Sequence, residues 1–159
     1  MTYRLLASLE ELVPIEAIQR DVFGATDLDI YAAGQLMTFA EVGGHILSAW
    51  VEGKLAGALI GIGGMNAGIP KIMSDWMGLY PKYRSVGIGA DLKRLQAVIA
   101  LQGGYQEIFW TVVPLRAANA RLNFGKLGAW SAHYEENRYG QAYSEALYGG
   151  LPSDRILMR

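Results

Sequence analysis

The spacing of apolar and polar positions changes several times along the chain, and each change marks a new element. Tyr3 to Ala7 predicts a first strand. From Leu9 to Phe23 the apolar residues Leu12, Ile15, Ile18 and Val22 recur at helical spacing, with Ser8 where a cap belongs. Asp27 to Val42 predicts a second helix that carries Ile30, Leu36, Met37 and Phe39 and ends at Gly43-Gly44. The period then shortens. His45 to Val51 and Leu55 to Ile62 read as strands around the hairpin signal Glu52-Gly53-Lys54. Gly63 to Pro70 reads as a glycine-rich loop leading into a third strand, Ile72 to Tyr80, which Pro81 stops.

Gly89 to Gln102 is again helical, with Leu92, Leu95, Val98 and Ile99 as its buried stripe and Gly103-Gly104 as its end. Glu107 to Val113 predicts a strand before Pro114, Ala117 to Leu127 a helix closed by Gly128, and Trp130 to Glu135 another strand. After a second glycine-rich stretch, Arg155 to Met158 predicts the last strand. The sum is an α/β fold, a mixed sheet with helices.

Composition narrows the picture. A chain of 159 residues with 52% hydrophobic and 18% charged residues suits one domain, 1–159, around a single core. A net charge of −1 offers no basic face, so no nucleic-acid partner is expected. The absence of cysteine excludes disulfides, thiol catalysis and thiolate metal sites. The most apolar stretch, Leu55 to Met65, is glycine-rich and too short to span a bilayer, so no membrane partner is expected. Glu10 and Glu11 interrupt the short apolar start, which is not the pattern of a secretory leader, and the expected location is cytoplasmic.

The stretch from Leu79 to Ala90 carries the candidate chemistry. It runs from a strand end through a turn into an amphipathic helix, and amides at a helix start have no partner within the helix. Gly87 and Gly89 lack side chains, so an anion can approach those amides closely. A P-loop is excluded because no Gly-Lys-Ser/Thr triplet occurs, and a dinucleotide fingerprint because Leu92 stands where its third glycine belongs. On the glycines alone, an anion cradle and a plain tight turn are equally good readings.

Arg84-Ser85-Val86-Gly87-Ile88-Gly89 resembles the R/Q-x-x-G-x-G/A signature of the GNAT superfamily of acyl-CoA-dependent N-acyltransferases. The preceding Leu79-Tyr80-Pro81-Lys82-Tyr83 and the later Asn119 to Ala129, with its Lys-Leu-Gly-Ala ending, resemble the segments that flank that signature in the family. Trp110-Thr111, Pro114-Leu115 and the tail from Gly150 to Arg155 look like an uncharacterised bacterial branch of it.

The resemblance implies a mostly antiparallel central sheet flanked by helices, and acetyl-CoA or another short acyl-CoA as donor. It implies that amides around Val86 to Ala90 hold the pyrophosphate, that the backbone of Met77, Gly78 and Leu79 pairs with the pantetheine arm, and that an amide near Leu79 stabilises an oxyanion. In the family that strand and the next splay apart, with the thioester in the gap. The expected acceptor is the amine of a small molecule, no metal is expected, and a homodimer is a family-level expectation.

Several positions depart from the family pattern. Ser85 and Val86 replace a glycine and a polar residue, which weakens phosphate contact without removing the backbone cradle. Phe124 stands where many members carry a tyrosine that protonates the thiolate, and phenylalanine donates no proton. The usual coenzyme-contacting asparagine falls at Ala117. Asn119 and Asn123, four apart, are either its substitutes on one helix face or plain exposed polar positions. Asp75, which strand alternation places with Met77 and Leu79, is the candidate base, or else a strand-edge aspartate paired with a cation. Tyr134 and Tyr139 are candidate acids or simply packing residues.

His45 is expected to be solvated or capping, and isolated histidines give no metal site. Trp50, Trp76, Trp110 and Trp130 fall in predicted strands and are expected in the core. Asp154 and Arg155 either form an ion pair or bind an acceptor carboxylate. Loss of the phenol at position 124 also leaves open a different class of function, an acyl-CoA-binding sensor without turnover.

Overall fold

In the computed structural model residues 1–140 and 151–159 are described, and the chain divides into two compact units, Met1–Ile108 and Phe109–Arg159. The glycine-rich stretch expected before the last strand falls largely outside the described residues.

The first unit is a sheet with a helical layer on each face. Its strands are β1 (Thr2–Leu6), β2 (His45–Val51), β3 (Lys54–Asn66) and β4 (Ile69–Leu79), each antiparallel to the next. Helices α1 (Leu9–Phe23) and α2 (Ala33–Glu41) cover one face, where Leu12, Ile15, Ile18 and Leu36 pack with Ile46, Ala58 and Ile60. Helix α3 (Ile88–Gln102) covers the other, where Ile88 and Leu92 pack with Leu47, Ala49, Ala56 and Leu59. Because both faces are covered, β2 and β3 are apolar at nearly every position rather than alternating.

Local chemistry explains most of the boundaries. Ser8 caps α1 through a reciprocal pair: its hydroxyl accepts from the Glu11 amide at 3.4 Å, and the Glu11 carboxylate accepts from the Ser8 amide at 3.3 Å. Gly24, left-handed at φ 65°, ends it. The helix expected from Asp27 instead starts at Ala33. Gln19, buried in α1, accepts from the Tyr31 amide at 2.8 Å and donates to the Tyr31 carbonyl at 2.9 Å, which uses the groups a helix would need.

The expected loop Gly63 to Pro70 is mostly strand. Gly63, Gly64, Met65 and Asn66 pair with Ile72, Lys71, Pro70 and Ile69, and only Ala67-Gly68 turns, both with positive φ (50° and 76°) as a two-residue hairpin requires.

A bulge interrupts β4. Ile60 pairs with Trp76 and Gly61 with Ser74, so Asp75 has no partner across the ladder. Side-chain parity reverses at that point. Met77 and Leu79 pack on the α3 side, and Ser74 also faces α3, accepting from Lys93 Nζ at 2.8 Å. Gln96, one turn beyond Lys93, lies against Gly61, where a Cβ would come within 2.3 Å of its amide nitrogen. His45 is not solvated but 4% exposed, its ring edge-on to Tyr105, and burial lowers its pKa.

The second unit contains β5 (Glu107–Val112, which begins in the first), β6 (His133–Glu135) and β7 (Arg155–Met158), with β7 antiparallel to both. Between β5 and β6 a short helix α4 (Ala117–Ala120) widens into a π-helical turn, Arg121–Lys126, where the Leu127 amide reaches back to the Leu122 carbonyl at 3.0 Å. Trp130 lies outside β6 and is exposed, with the Arg159 guanidinium over its ring, so it is not a core residue. Seven strands interspersed with helices, every pairing described within each unit antiparallel, make up the expected α/β class among the described residues.

Candidate active site

The turn between β4 and α3 is built by Pro81–Tyr83, a single tight helical turn, followed by Arg84 to Gly87. Ser85 is left-handed at φ 66° and Gly87 at φ 101°, while Val86 between them is not. Such alternation turns successive amides toward one side, the geometry of an anion-binding nest. Gly87 caps α3, and its carbonyl accepts from the Ala90 amide at 2.9 Å and the Asp91 amide at 3.1 Å. A side chain added at Gly87 would meet nothing within 4 Å, so the approach to these amides is open.

Gly89 plays a different part. A Cβ there would lie 3.3 Å from Leu79 Cδ1 and 3.5 Å from Met77 Cε, so its small size seats the first turn of α3 against β4. The structure thus brings Met77, Leu79 and Gly89 together. Gly78 is buried on the opposite side, under Trp76 and Phe23. Ile88 and Ala90 are buried, whereas Arg84, Ser85 and Val86 are exposed. Arg84 Nε donates to the Leu79 carbonyl at 3.1 Å, tying the turn to the strand end.

The bulge changes the setting of Asp75. Alternation predicts it beside Met77 and Leu79, but it faces the α1–α2 side, where Tyr31 Oη donates to its Oδ2 at 2.7 Å. Tyr31 was not singled out by the sequence, because its position depends on Gln19, twelve residues away. The one advance signal was a glutamine in the apolar stripe of α1.

In the second unit, Tyr134 donates a short hydrogen bond to Asp154, which also accepts from the Asn137 amide at 2.9 Å. That bond raises the Tyr134 pKa and lowers that of Asp154. Tyr139 lies under the Arg155 guanidinium at 4.9 Å, and its amide donates to Ser153 Oγ at 2.8 Å. Arg155 donates to the Asp154 backbone carbonyl at 2.8 Å rather than to its carboxylate. Asn123 is buried and accepts from Trp110 Nε1 at 3.1 Å, so its carbonyl serves the core, while Asn119 is half-buried on α4. Phe124 is exposed on the π-helical turn. No cluster of histidine, aspartate and glutamate among the described residues could hold a metal, and no helix among them is long and apolar enough to cross a membrane.

The fold recurs in solved structures. The ribosomal-protein-alanine N-acetyltransferase of Brucella melitensis matches with a TM-score of 0.76 over 99% of this chain and 98% of its own, at 18% identity. A GNAT-family acetyltransferase of Streptococcus pneumoniae matches at 0.72 over 99% and 97%, at 17% identity. The chain has the GNAT fold. Arabidopsis thaliana Naa50, solved with the bisubstrate analogue CoA-Ac-MVNAL, matches at a TM-score of 0.69 over 99% and 97%, at 14% identity. No protein-family model matches the sequence, and no curated protein matches it.

Proposed function

We propose that the chain transfers acetyl or another short acyl group from acyl-coenzyme A to the amine of a small molecule. The observation that carries this reading is the α3 cap: Gly87 is left-handed with open space beside it, and Gly89 lets the helix end sit against β4. Amides from Val86 to Gly89 would hold the pyrophosphate, that of Ala90 being taken up by the Gly87 carbonyl, and the backbone of Met77 to Leu79 would hold the pantetheine arm. The resemblance of the fold to acetyltransferases, one of them bound to a CoA-containing analogue, supports the same donor.

In the reaction, the amine lone pair attacks the thioester carbonyl, the C–S bond breaks, and the thiolate leaves with the electron pair. The nitrogen loses a proton and the thiolate gains one, giving an amide and free coenzyme A. Asp75 is the proposed base, its carboxylate oriented by the Tyr31 hydroxyl. Tyr134 and Tyr139 are the proposed sources of the acid proton. Tyr134 stays protonated to higher pH than an ordinary phenol because Asp154 accepts its hydrogen bond.

Phe124 supports a second reading, an acyl-CoA-binding protein without turnover, since the phenyl ring at the solvent-facing position supplies no proton. Calorimetric titration with coenzyme A, followed by a thiol-release assay over a panel of amines and acyl donors, separates the two. Binding with amine-dependent thiol release supports transfer. Binding with silence across the panel favours the second reading, and no heat of binding overturns both.

A further inference from the structure

Two phenol–carboxylate pairs stand on the same face of the first unit. Tyr31 Oη donates to Asp75 at 2.7 Å, and Tyr80 Oη donates to Asp21 at 2.9 Å, each joining β4 or the residue after it to α1 or the segment that follows α1. A phenol is a neutral donor, so each bond orients a carboxylate without cancelling its charge. Among the described residues, neither Asp21 nor Asp75 has a cation within ion-pair distance, unlike Asp27, Glu107 and Glu135, each of which does. Two negative charges therefore remain on this face.

An aromatic surface lies on the same face. The Phe23 and Trp76 rings sit 5.4 Å apart, tilted by 58°, and the indole lies across Gly78, where a Cβ would come within 2.5 Å of it. Phe23 remains 41% exposed and Asp75 is exposed, so the surface opens to solvent. The support beneath it is firm: Gln19 fixes the Tyr31 backbone from both sides, and the Tyr31 ring meets Phe39 edge-on at 5.3 Å. The bulge in β4 is what turns Asp75 to this face rather than the α3 side.

Aromatic rings beside uncompensated carboxylates favour a cation and repel an anion. We infer that this face binds the acceptor as an ammonium ion, and that the acceptor is a small aliphatic amine or diamine without a carboxylate of its own. The inference deepens the proposed function and rests on it for the word acceptor, but the binding itself does not depend on turnover.

Calorimetry on the full chain tests it, with cadaverine and the equally long δ-aminovalerate as probes and coenzyme A as a separate titrant. Cadaverine should bind at least roughly tenfold more tightly than δ-aminovalerate, because the carboxylate of the latter meets Asp21 and Asp75. The double variant Asp21→Asn, Asp75→Asn keeps shape and acceptor oxygens. It should weaken cadaverine by roughly tenfold or more while leaving coenzyme A affinity unchanged. Equal binding of the two probes, no measurable cadaverine binding, or indifference of cadaverine to the double variant overturns the inference. Cadaverine binding without coenzyme A binding keeps this site and overturns the proposed function instead.

Discussion

Gly87 shows how much can turn on one residue. Its φ of 101° is rarely open to a side chain, although the space beside it is empty. Gly87→Val is therefore expected to fail through backbone strain rather than collision, losing on the order of 1–3 kcal/mol in stability and weakening coenzyme A binding. Gly87→Asn, which tolerates left-handed φ and also caps helices, should retain most of the stability, but its side chain stands in the approach proposed for the pyrophosphate and should still weaken coenzyme A binding. Melting curves and calorimetry check the pair. Lys93 gives a pH signature. Burial lowers its pKa from 10.5 to about 7, so between those values the unfolded chain binds a proton that the folded chain does not. Stability should then rise from pH 7 to about 10, by up to roughly 4 kcal/mol. Tyr3 acts in the opposite sense: burial and its bond to Asp91 raise it to about 12, so above pH 10 the unfolded chain ionises first and stability falls. Lys93→Met should flatten the rise and leave the fall. Melting temperature against pH reads both.

At the scale of elements, local patterns were enough where the determinants are local. Helix α1 follows from its stripe and the Ser8–Glu11 pair, and β2 and β7 have the bounds their apolar runs predict. The departures occur where a distant group decides. Nothing near Asp27 announces that Gln19 will hold Tyr31, and no alternation in sequence reveals a bulge at Asp75. The same limit applies to the candidate site: the glycines of the turn were legible, but the side to which Asp75 faces was not. Composition misled at Gly63 to Pro70, where most of the segment is strand and Gly63 makes room for the Tyr105 hydroxyl. The tight turn at its end gives a test. Ala67 holds φ 50°, unfavourable for alanine, so Ala67→Gly should stabilise the chain by about 0.5–1 kcal/mol in urea unfolding. On the π-helical turn, Phe124→Tyr should leave coenzyme A binding unchanged because the ring is exposed. If that position lacks only its acid, thiol release should increase.

For the molecule as a whole, the two proposed ligand surfaces of the first unit share one strand. Met77 and Leu79 face α3 and its glycine cap, whereas Asp75 and Trp76 face the aromatic side. On the proposed reading, the carboxylate surface should respond to ionic strength. Raising salt should weaken the binding of a cationic amine, and calorimetry at two salt concentrations would show it. The bulge in β4 also bears on how such a chain can change over generations. Since Asp75 and Trp76 serve one side and Met77 and Leu79 the other, heritable substitutions at 75 or 76 would, on the proposed reading, redraw the range of acceptors while the donor grip is passed on intact. A one-residue deletion at the bulge has no such selectivity: it would straighten the strand, keep Ile60 opposite Trp76 and Gly61 opposite Ser74, and take away the carboxylate that the extra residue presents.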